Sequence, residues 1–331
     1  MNPSTNPIDQ VLQQIKVAQA VNYEGLTSFP LIRNTLFEKD YLTLDEALAN
    51  KTAVVTEVSE GGSVPVLLLR NSGDQAVFLL DGEELVGAKQ NRVLNITILA
   101  PAMKDTVIPV SCVEAGRWDH SSPDFSAAPR AQFSASRAKR SAHVSADICQ
   151  TGQRRSNQGE VWDDISVKLN SLGSQSATQA VESAFMDHDQ QLNAYVEHLR
   201  PMENQFGAVF AVKGRITGLE LFDSQDTCRA LMPKIIRSYA LDAIDPGLRG
   251  NAGANEPSPN QFLARVGKTA VREAAAVGEG TDLRFDNASG VAGGALHARD
   301  RIVHLVAFAM QERSHQSPHE SAGRVYRRSW I

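Results

Sequence analysis

Residues 80–92 read LDGEELVGAKQNR, and residues 111–118 read SCVEAGRW. Both pieces place charged side chains inside sequence that is otherwise apolar and rich in β-branched residues. A charge that is buried without a partner is costly, so these side chains must be paired, solvated or part of a site. The two pieces therefore bear on both the fold class and the position of a candidate site.

The sequence around these pieces predicts a β-rich region. From residue 53 to residue 113, apolar runs of Val, Ile and Thr alternate with turn residues. One of these turns is Asp81-Gly82, a strong hairpin signal. We expect about five to seven strands in a mostly antiparallel sheet or a barrel-like sandwich. An extended segment at 23–32 and a helical capping box at 43–46 precede this region.

The second half of the chain alternates helical periodicity with short apolar runs. Residues 206–212 and 216–222 are expected to pair as a hairpin, and Ser224 or Asp223 to cap the helix that follows. Together these patterns predict an α+β fold, in which an antiparallel, β-rich N-terminal region packs with a C-terminal layer of helices and short antiparallel strands. Apolar spacing predicts helices over 8–19, 161–172, 180–199, 224–245 and 260–277, and further strands over 282–285, 291–296 and 302–309.

Residues 119–158 differ from their surroundings in composition. They are rich in Ser, Ala and Gln, and positions 130–155 hold six basic residues and one acidic residue. We expect a partly irregular surface insertion, whose charge forms a solvated face or meets phosphates. The chain is expected to form one compact domain over 20–310, with a β-rich part (20–118), this basic insertion and a helix and strand part (159–310), followed by a flexible tail at 311–331.

Seven side chains form the candidate site. Glu84 and Glu114 are the candidate catalytic residues, because a glutamate can act as a general acid or base. The candidate ligand-binding residues would hold negative charge or stack on a base or sugar; they are Lys89, Gln90, Arg92, Arg117 and Trp118. The structural alternative is that Glu84 pairs with Lys89 or Arg92 at the edge of the sheet and that Trp118 packs in the core.

Other signals favour structural roles. Cys112 has no histidine near it in sequence, and His304 lies in an apolar run, so both are expected in the core. Glycines at 290–294 lack the strand, loop and helix of a phosphate-binding loop and are expected in a hairpin or bulge. The chain has no HExxH, no CxxC pair and no GxSxG. We therefore predict no metal, no cofactor and no catalytic triad, and the sequence assigns no reaction.

Whole-chain properties restrict the class of protein. The 331 residues are 42% apolar, carry a net charge of −5 and include three widely separated cysteines. This charge does not favour nucleic acid or an anionic membrane as a partner, and the cysteines suit a reducing compartment. The N-terminus lacks a signal-peptide pattern, and no apolar run approaches the ~20 residues of a membrane span. We expect a cytoplasmic protein, for which a protein partner or a homo-oligomer remains open.

Three motifs together carry a family resemblance. They are GEELVGAKQNR at 82–92, IPVSCVEAGRW at 108–118, and ITGLELFDS at 216–224 followed by KIIRSYALDA at 234–243. The chain resembles, over roughly 20–310, a bacterial domain family named for its genomic association with ADP-ribosylglycohydrolases and rhodanese/phosphatase proteins. The resemblance implies a neighbourhood linked to NAD or ADP-ribose metabolism and no assigned activity. It does not extend to the basic insertion or the tail.

Two functions follow as alternatives. In the first, the charged side chains form a pocket for an anionic small molecule, such as a nucleotide or an NAD- or ADP-ribose-derived ligand. In the second, the protein is a non-catalytic interaction module that uses the basic insertion or the tail to bind a protein or nucleic acid. Convergence of the charges on one concave pocket favours the first, and their pairing within a closed core favours the second.

Overall fold

The computed structural model of the protein describes residues 6–34, 37–59, 61–119, 122–248, 258–285 and 289–310. Helices and largely antiparallel sheets confirm the predicted α+β class. The tail predicted at 311–331 lies outside the described residues.

The elements alternate along the whole chain. The helices are α1 (Pro7–Gln13), α2 (Leu44–Ala49), α3 (Ser134–Thr151), α4 (Gln158–Leu172), α5 (Glu182–Asp187), α6 (Asp189–His198), α7 (Gln225–Ala243) and α8 (Pro259–Lys268). The strands are β1 (Lys16–Val17), β2 (Val21–Tyr23), β3 (Leu26–Ile32), β4 (Tyr41–Thr43), β5 (Ala53–Thr56), β6 (Val66–Asn71), β7 (Ala76–Leu79), β8 (Glu83–Gly87), β9 (Arg92–Leu94), β10 (Ile98–Ala100), β11 (Lys104–Cys112), β12 (Phe125–Ala131), β13 (Gln205–Val212), β14 (Arg215–Phe222), β15 (Val271–Ala275), β16 (Thr281–Phe285), β17 (Val291–Ala298) and β18 (Arg301–Ala309).

Six strands close into a barrel in the order β11-β6-β5-β12-β8-β9, and every neighbouring pair is antiparallel. Side chains at alternate positions point inward and fill the barrel, as the two-residue period of a strand requires. The barrel-like arrangement predicted for the N-terminal region is therefore confirmed. Buried residues of this interior include Val55, Leu67, Leu94, Ile108 and Phe125.

The turn at Asp81-Gly82 does not form the predicted hairpin. It leads from β7, in a three-stranded sheet of order β10-β7-β4, to β8 in the barrel. Gly82 has a φ of 80°, which suits glycine at such a turn. The Asp81-Gly82 pair predicts the turn correctly, but a local pattern cannot specify which strands pair on either side of it.

A nine-stranded antiparallel sheet forms the other layer, in the order β1-β3-β13-β14-β18-β17-β16-β15 with β2 paired to β3. The predicted hairpin of β13 and β14 is confirmed, as is the extended segment that becomes β3. Helix α7 packs against both β13 and β12, so it lies between the sheet and the barrel. It begins after the predicted cap, because the Ser224 side chain accepts from the Asp226 amide.

The expectation of an irregular basic insertion at 119–158 is wrong. This segment supplies β12 to the barrel and the helix α3, which packs against β17 and α7. Three of its basic residues, Arg130, Arg137 and Arg140, are buried. Acidic residues from distant parts of the chain neutralise them, so a local excess of basic residues did not indicate a solvated face.

Two predicted helices end earlier than expected. The helix predicted over 260–277 stops at Lys268, and residues 271–275 form β15, which pairs with β16. The helix predicted over 8–19 stops at Gln13. Alanines at helical spacing favoured a helix in the first case, but pairing with a neighbouring strand overrides such local preference.

Candidate functional site

One end of the barrel carries polar side chains where its core ends. Val55, Leu94 and Val110 belong to the barrel interior. Each of them has a polar neighbour two positions away in the chain: Glu57 for Val55, Arg92 for Leu94 and Cys112 for Val110. Side chains two positions apart on a strand share a face, so these three point toward the same interior. We call these three residues the barrel mouth. The mouths of β-barrels are among the places where small-molecule sites are found.

Arg92 provides the positive charge of the barrel mouth. Its side chain is fully buried. Nη1 donates to Oε1 of Gln90 at 3.0 Å, whereas Nε and Nη2 have no hydrogen-bond partner among the described residues. Burial lowers the pKa of Arg92 from its ordinary value. Two guanidinium donors held away from water favour an acceptor that would bind them.

Glu57 is the acid nearest to Arg92 in the mouth. Its Oε1 lies 4.0 Å from Nη2 of Arg92, which is too long for a hydrogen bond. Within the described part of the chain, neither carboxylate oxygen of Glu57 has a hydrogen-bond partner, although the side chain is only 7% exposed. The mouth therefore holds a cation and an anion that face each other without close pairing.

Trp118 and Lys89 cover the mouth on the solvent side. The Trp118 ring lies 5.7 Å from Cζ of Arg92 and 5.5 Å from Nζ of Lys89, within cation–π range. Lys89 also donates to the carbonyl of Gly61 at 2.8 Å, which joins it to the loop between β5 and β6. Trp118 is 44% exposed, so it is not the core residue of the structural alternative.

Glu114 and Arg117 hold the rim of the mouth together. Nη2 of Arg117 lies 2.7 Å from Oε2 of Glu114, which also accepts from the Asn91 amide at 3.0 Å. The hydroxyl of Thr178 donates to the other oxygen at 2.9 Å. Burial alone would raise the pKa of Glu114, but these hydrogen bonds outweigh it and lower the pKa. The carboxylate thus stays ionised and fixes the turn that carries Gln90.

Glu84 does not join the other six predicted site residues. Its carboxylate accepts from Nε and Nη2 of Arg130, at 2.6 and 3.1 Å, on the outer side of the barrel wall. Arg130 continues to Glu182 at 3.0 Å, and Glu182 accepts from the Asn91 side chain. The alternative in which Glu84 pairs with Lys89 or Arg92 is therefore wrong, because its partner comes from the segment predicted as an insertion.

A second group of charges, the interface cluster, joins the barrel to the large sheet. It consists of Asp81, Arg137, Glu220 and His304, all buried. Asp81 lies 3.4 Å from Arg137, Arg137 lies 2.7 Å from Glu220, and Glu220 lies 3.1 Å from Nε2 of His304. His304 is thus a hydrogen-bonded core histidine, as predicted. A Cβ on Gly82 would lie 2.4 Å from Nε of Arg137, so glycine is needed at this approach.

Sequence reasoning missed Glu57 and the arginines of the interface cluster and barrel wall. Glu57 follows a short strand and precedes a glycine-rich turn, a position that usually indicates an exposed loop. For Arg137, the only local signal was the basic composition that suggested a surface. The alternation that puts Glu57 two residues beyond Val55 was available, and it would have identified an inward-facing acid.

The remaining chemistry-bearing groups limit what the site can do. Cys112 is buried, and burial raises the pKa of its thiol, which disfavours a nucleophilic role. Among the described residues, no group of His, Cys, Asp and Glu could hold a metal ion. In the same described part of the chain, no helix is both long and apolar enough to cross a membrane. The mouth places the buried guanidinium of Arg92 next to the exposed aromatic ring of Trp118.

Comparison with known proteins identifies the family and no individual relative. No curated protein matches the chain, and no solved structure does. The family model described as the ARG and Rhodanese-Phosphatase-superfamily-associated Protein domain matches residues 14–308. That range includes the barrel, the mouth and, except for Ala309, the large sheet. The chain therefore belongs to the ARG and Rhodanese-Phosphatase-superfamily-associated Protein domain family.

Proposed function

We propose that the barrel mouth binds a small molecule through an anionic group, which Arg92 receives. The observation that carries this proposal is the pair of buried Arg92 donors that lack an acceptor in the described chain. A phosphate or carboxylate matches the planar fork of a guanidinium and would accept from both donors. In the absence of such a group, Glu57 supplies the nearest negative charge at 4.0 Å.

The ligand class that fits best is a nucleotide or an NAD- or ADP-ribose-derived molecule. Trp118 offers an exposed ring beside the anion site, and such rings stack on bases and sugars. Lys89 lies over the same ring and adds a second positive charge near the rim. The genomic neighbourhood implied by the family resemblance is consistent with this class. Three free cysteines agree with the reducing cytoplasm that we propose as its location.

The proposal is for binding, and it does not require turnover. Glu84 is held by Nε and Nη2 of Arg130, and Glu114 by Arg117, Asn91 and Thr178. A catalytic role for either glutamate would need one of these contacts to open when a ligand binds. The alternative of an interaction module has less support, since it relied on exposed basic residues. Three of them, Arg130, Arg137 and Arg140, are buried and cannot contact a partner.

Calorimetric titration of the full-length protein tests the proposal. The ligands are ADP-ribose, NAD, AMP and inorganic phosphate, each at millimolar concentration. We expect saturable binding of at least one, and its loss in Arg92→Gln, with folding of the variant checked by circular dichroism. Glu57→Gln should bind the same ligand roughly tenfold more tightly, because a negative charge close to the anion site is removed without a change of shape.

A matched control separates this local effect from net charge. Asp105→Asn removes one negative charge from the same barrel, at an exposed pair with Arg70. It should leave the affinity unchanged. Absence of binding for all four ligands would overturn the proposed function. Binding that is insensitive to both Arg92→Gln and Glu57→Gln would overturn its location at the barrel mouth.

A further inference from the structure

The barrel wall is incomplete beside the mouth. Strands β6 and β11 pair from Asn71 and Lys104 as far as Val66 and Pro109, and the Val110 amide still donates to the Pro65 carbonyl at 3.0 Å. Beyond this point β11 continues to Cys112 without β6 on that edge, while its other edge stays paired with β9. The Gln158 side chain replaces the missing strand, because its amide accepts from the Cys112 N–H and donates to the Cys112 carbonyl, both at 2.8 Å. A side chain covers less of a strand edge than a strand does, so an opening remains here.

A cavity of about 360 Å³ occupies this opening. Its apolar side is formed by Val64, Pro65 and Val110, and its polar side by Ser111, Ser156 and Arg155. The volume is at the small end of the range for ligand pockets, and it corresponds to about a dozen water molecules. A small organic molecule of limited length therefore fits the space.

The polar side of the cavity contains one charged group, the guanidinium of Arg155. The hydroxyls of Ser111 and Ser156 bond to each other at 2.6 Å, and Ser111 also donates to Asn95. The guanidinium of Arg155 is exposed and makes no hydrogen bond or ion pair to another residue that the structure describes. The carboxylate of Asp147 accepts from the Arg155 backbone amide at 2.7 Å and anchors the position of Arg155 in the chain.

We propose that this cavity is a second binding site, which takes a small apolar molecule with one terminal carboxylate. The apolar body would lie against Val64, Pro65 and Val110. The carboxylate would pair with the guanidinium of Arg155, for which its planar geometry is suited. The site is formed by a gap in the wall and by the segment between α3 and α4, and it does not rest on the anion site proposed at Arg92.

Ligand-observed NMR and calorimetric titration of the full-length protein provide the test. The probes are benzoate and hexanoate, with benzamide as a neutral isostere and phenyl phosphate as the alternative anion. We expect saturable binding of the carboxylates below about 10 mM, at least tenfold tighter than benzamide. Tighter binding of phenyl phosphate than of benzoate, in the part of the binding that is lost in Arg155→Gln, would overturn the carboxylate assignment.

Four variants locate the site. Arg155→Gln should weaken benzoate binding at least tenfold, whereas Arg70→Gln, the same charge change at an exposed arginine of β6, should not alter it. Val64→Phe should block the cavity, because Val64 lines it from a position that is 37% exposed and outside the barrel core. The loss caused by Arg155→Gln should be the same in an Arg92→Gln background, which separates this site from any benzoate held at the barrel mouth.

The outcomes distinguish this site from the barrel mouth. Benzoate binding that is lost in Arg92→Gln but retained in Arg155→Gln would overturn the second site. Binding that survives Val64→Phe would do the same, as would the absence of any saturable binding. Failure of the nucleotide titrations leaves these measurements unaffected, since they use other probes and another arginine.

Discussion

The interface cluster and the barrel mouth hold buried charges in different ways. In the interface cluster, Arg137 lies 3.4 Å from Asp81 and 2.7 Å from Glu220. In the mouth, Arg92 lies 4.0 Å from its nearest acid, Glu57. Both arginines are fully buried, but Arg137 lies in helix α3, whereas Arg92 is the first residue of barrel strand β9.

This difference separates charges that hold the fold together from charges that are available to a ligand. Desolvation of a buried ion pair is compensated only when the partners are close and well oriented. The interface cluster meets the distance part of this condition, which joins the barrel to the large sheet, although neither Nη atom of Arg137 makes a hydrogen bond among the described residues. The mouth does not meet it, so its arginine would gain more from an added anion than from the acid already present.

Removal of Arg137 should give the largest effect. Arg137→Met leaves Asp81 and Glu220 buried with less compensation, and it should lower the free energy of unfolding by about 3–5 kcal/mol. Chemical denaturation followed by circular dichroism measures the change. If the variant does not fold at all, refolding in the presence of a stabilising osmolyte gives the comparison.

The matched control for Arg137 lies two residues further along α3. Lys139→Met removes the same charge from an exposed pair with Asp164 and should cost no more than about 1 kcal/mol. Similar losses for the two variants would contradict the structural role assigned to the interface cluster.

Gly82 should give the next largest effect, through its approach to Arg137. Gly82→Ala adds a Cβ 2.4 Å from Nε of Arg137 at a residue with a φ of 80°. We expect a loss of about 2–4 kcal/mol, from left-handed backbone strain and from displacement of the arginine. Thermal unfolding monitored by circular dichroism would detect it.

Gly152 provides a control that separates the cost of backbone strain from the cost of displacing Arg137. It has a φ of 73°, and a Cβ there would meet nothing within 4 Å. Gly152→Ala should therefore cost only the backbone strain, about 1–2 kcal/mol. An equal cost at both glycines would mean that Arg137 moves aside freely and that the cluster is less rigid than its distances suggest.

Glu114 should show a smaller and pH-dependent effect at the rim of the mouth. Hydrogen bonds to its carboxylate lower its pKa in the folded state. Its contribution to stability is therefore present above the unfolded value of about 4.3 and is lost as the pH falls through the folded value. At pH 7, Glu114→Gln should lower the free energy of unfolding by about 1.5–3 kcal/mol.

The pH profile is the decisive measurement for Glu114. The stability difference between the wild type and Glu114→Gln should narrow as the pH falls below about 4. Glu197→Gln, at an exposed pair with Arg200, should show little effect at any pH. A difference that stays constant with pH would indicate that the carboxylate contributes by shape and not by charge.

The sequence predicted the local elements better than it predicted their partners. The hairpin of β13 and β14 and the capping box of α2 depend on neighbouring residues, so they could be read directly. Convergence of Lys89, Gln90 and Arg92 with Trp118 followed from charges inside a β-rich segment. The pairing of Glu84 with Arg130 joins residues 46 positions apart, and no local pattern carries that information.

The smallest effect on stability is expected in the mouth itself. Glu57→Gln keeps the shape of the side chain and removes a charge that has no hydrogen bond and lies 4.0 Å from Arg92. It should change the free energy of unfolding by less than about 1 kcal/mol, because little close pairing is lost. Glu84→Gln is the isosteric counterpart on the outer side of the wall, where the carboxylate accepts from two nitrogens of Arg130.

Comparison of these two variants tests the distinction between the regions most directly. Glu84→Gln should cost about 2–4 kcal/mol, since one buried charge-assisted pair is broken and Arg130 keeps only Glu182. Denaturant titrations of both variants at the same pH and salt give the difference. If Glu57→Gln is as destabilising as Glu84→Gln, then Glu57 already compensates the buried charge of Arg92. An anionic ligand would then gain little by binding to Arg92.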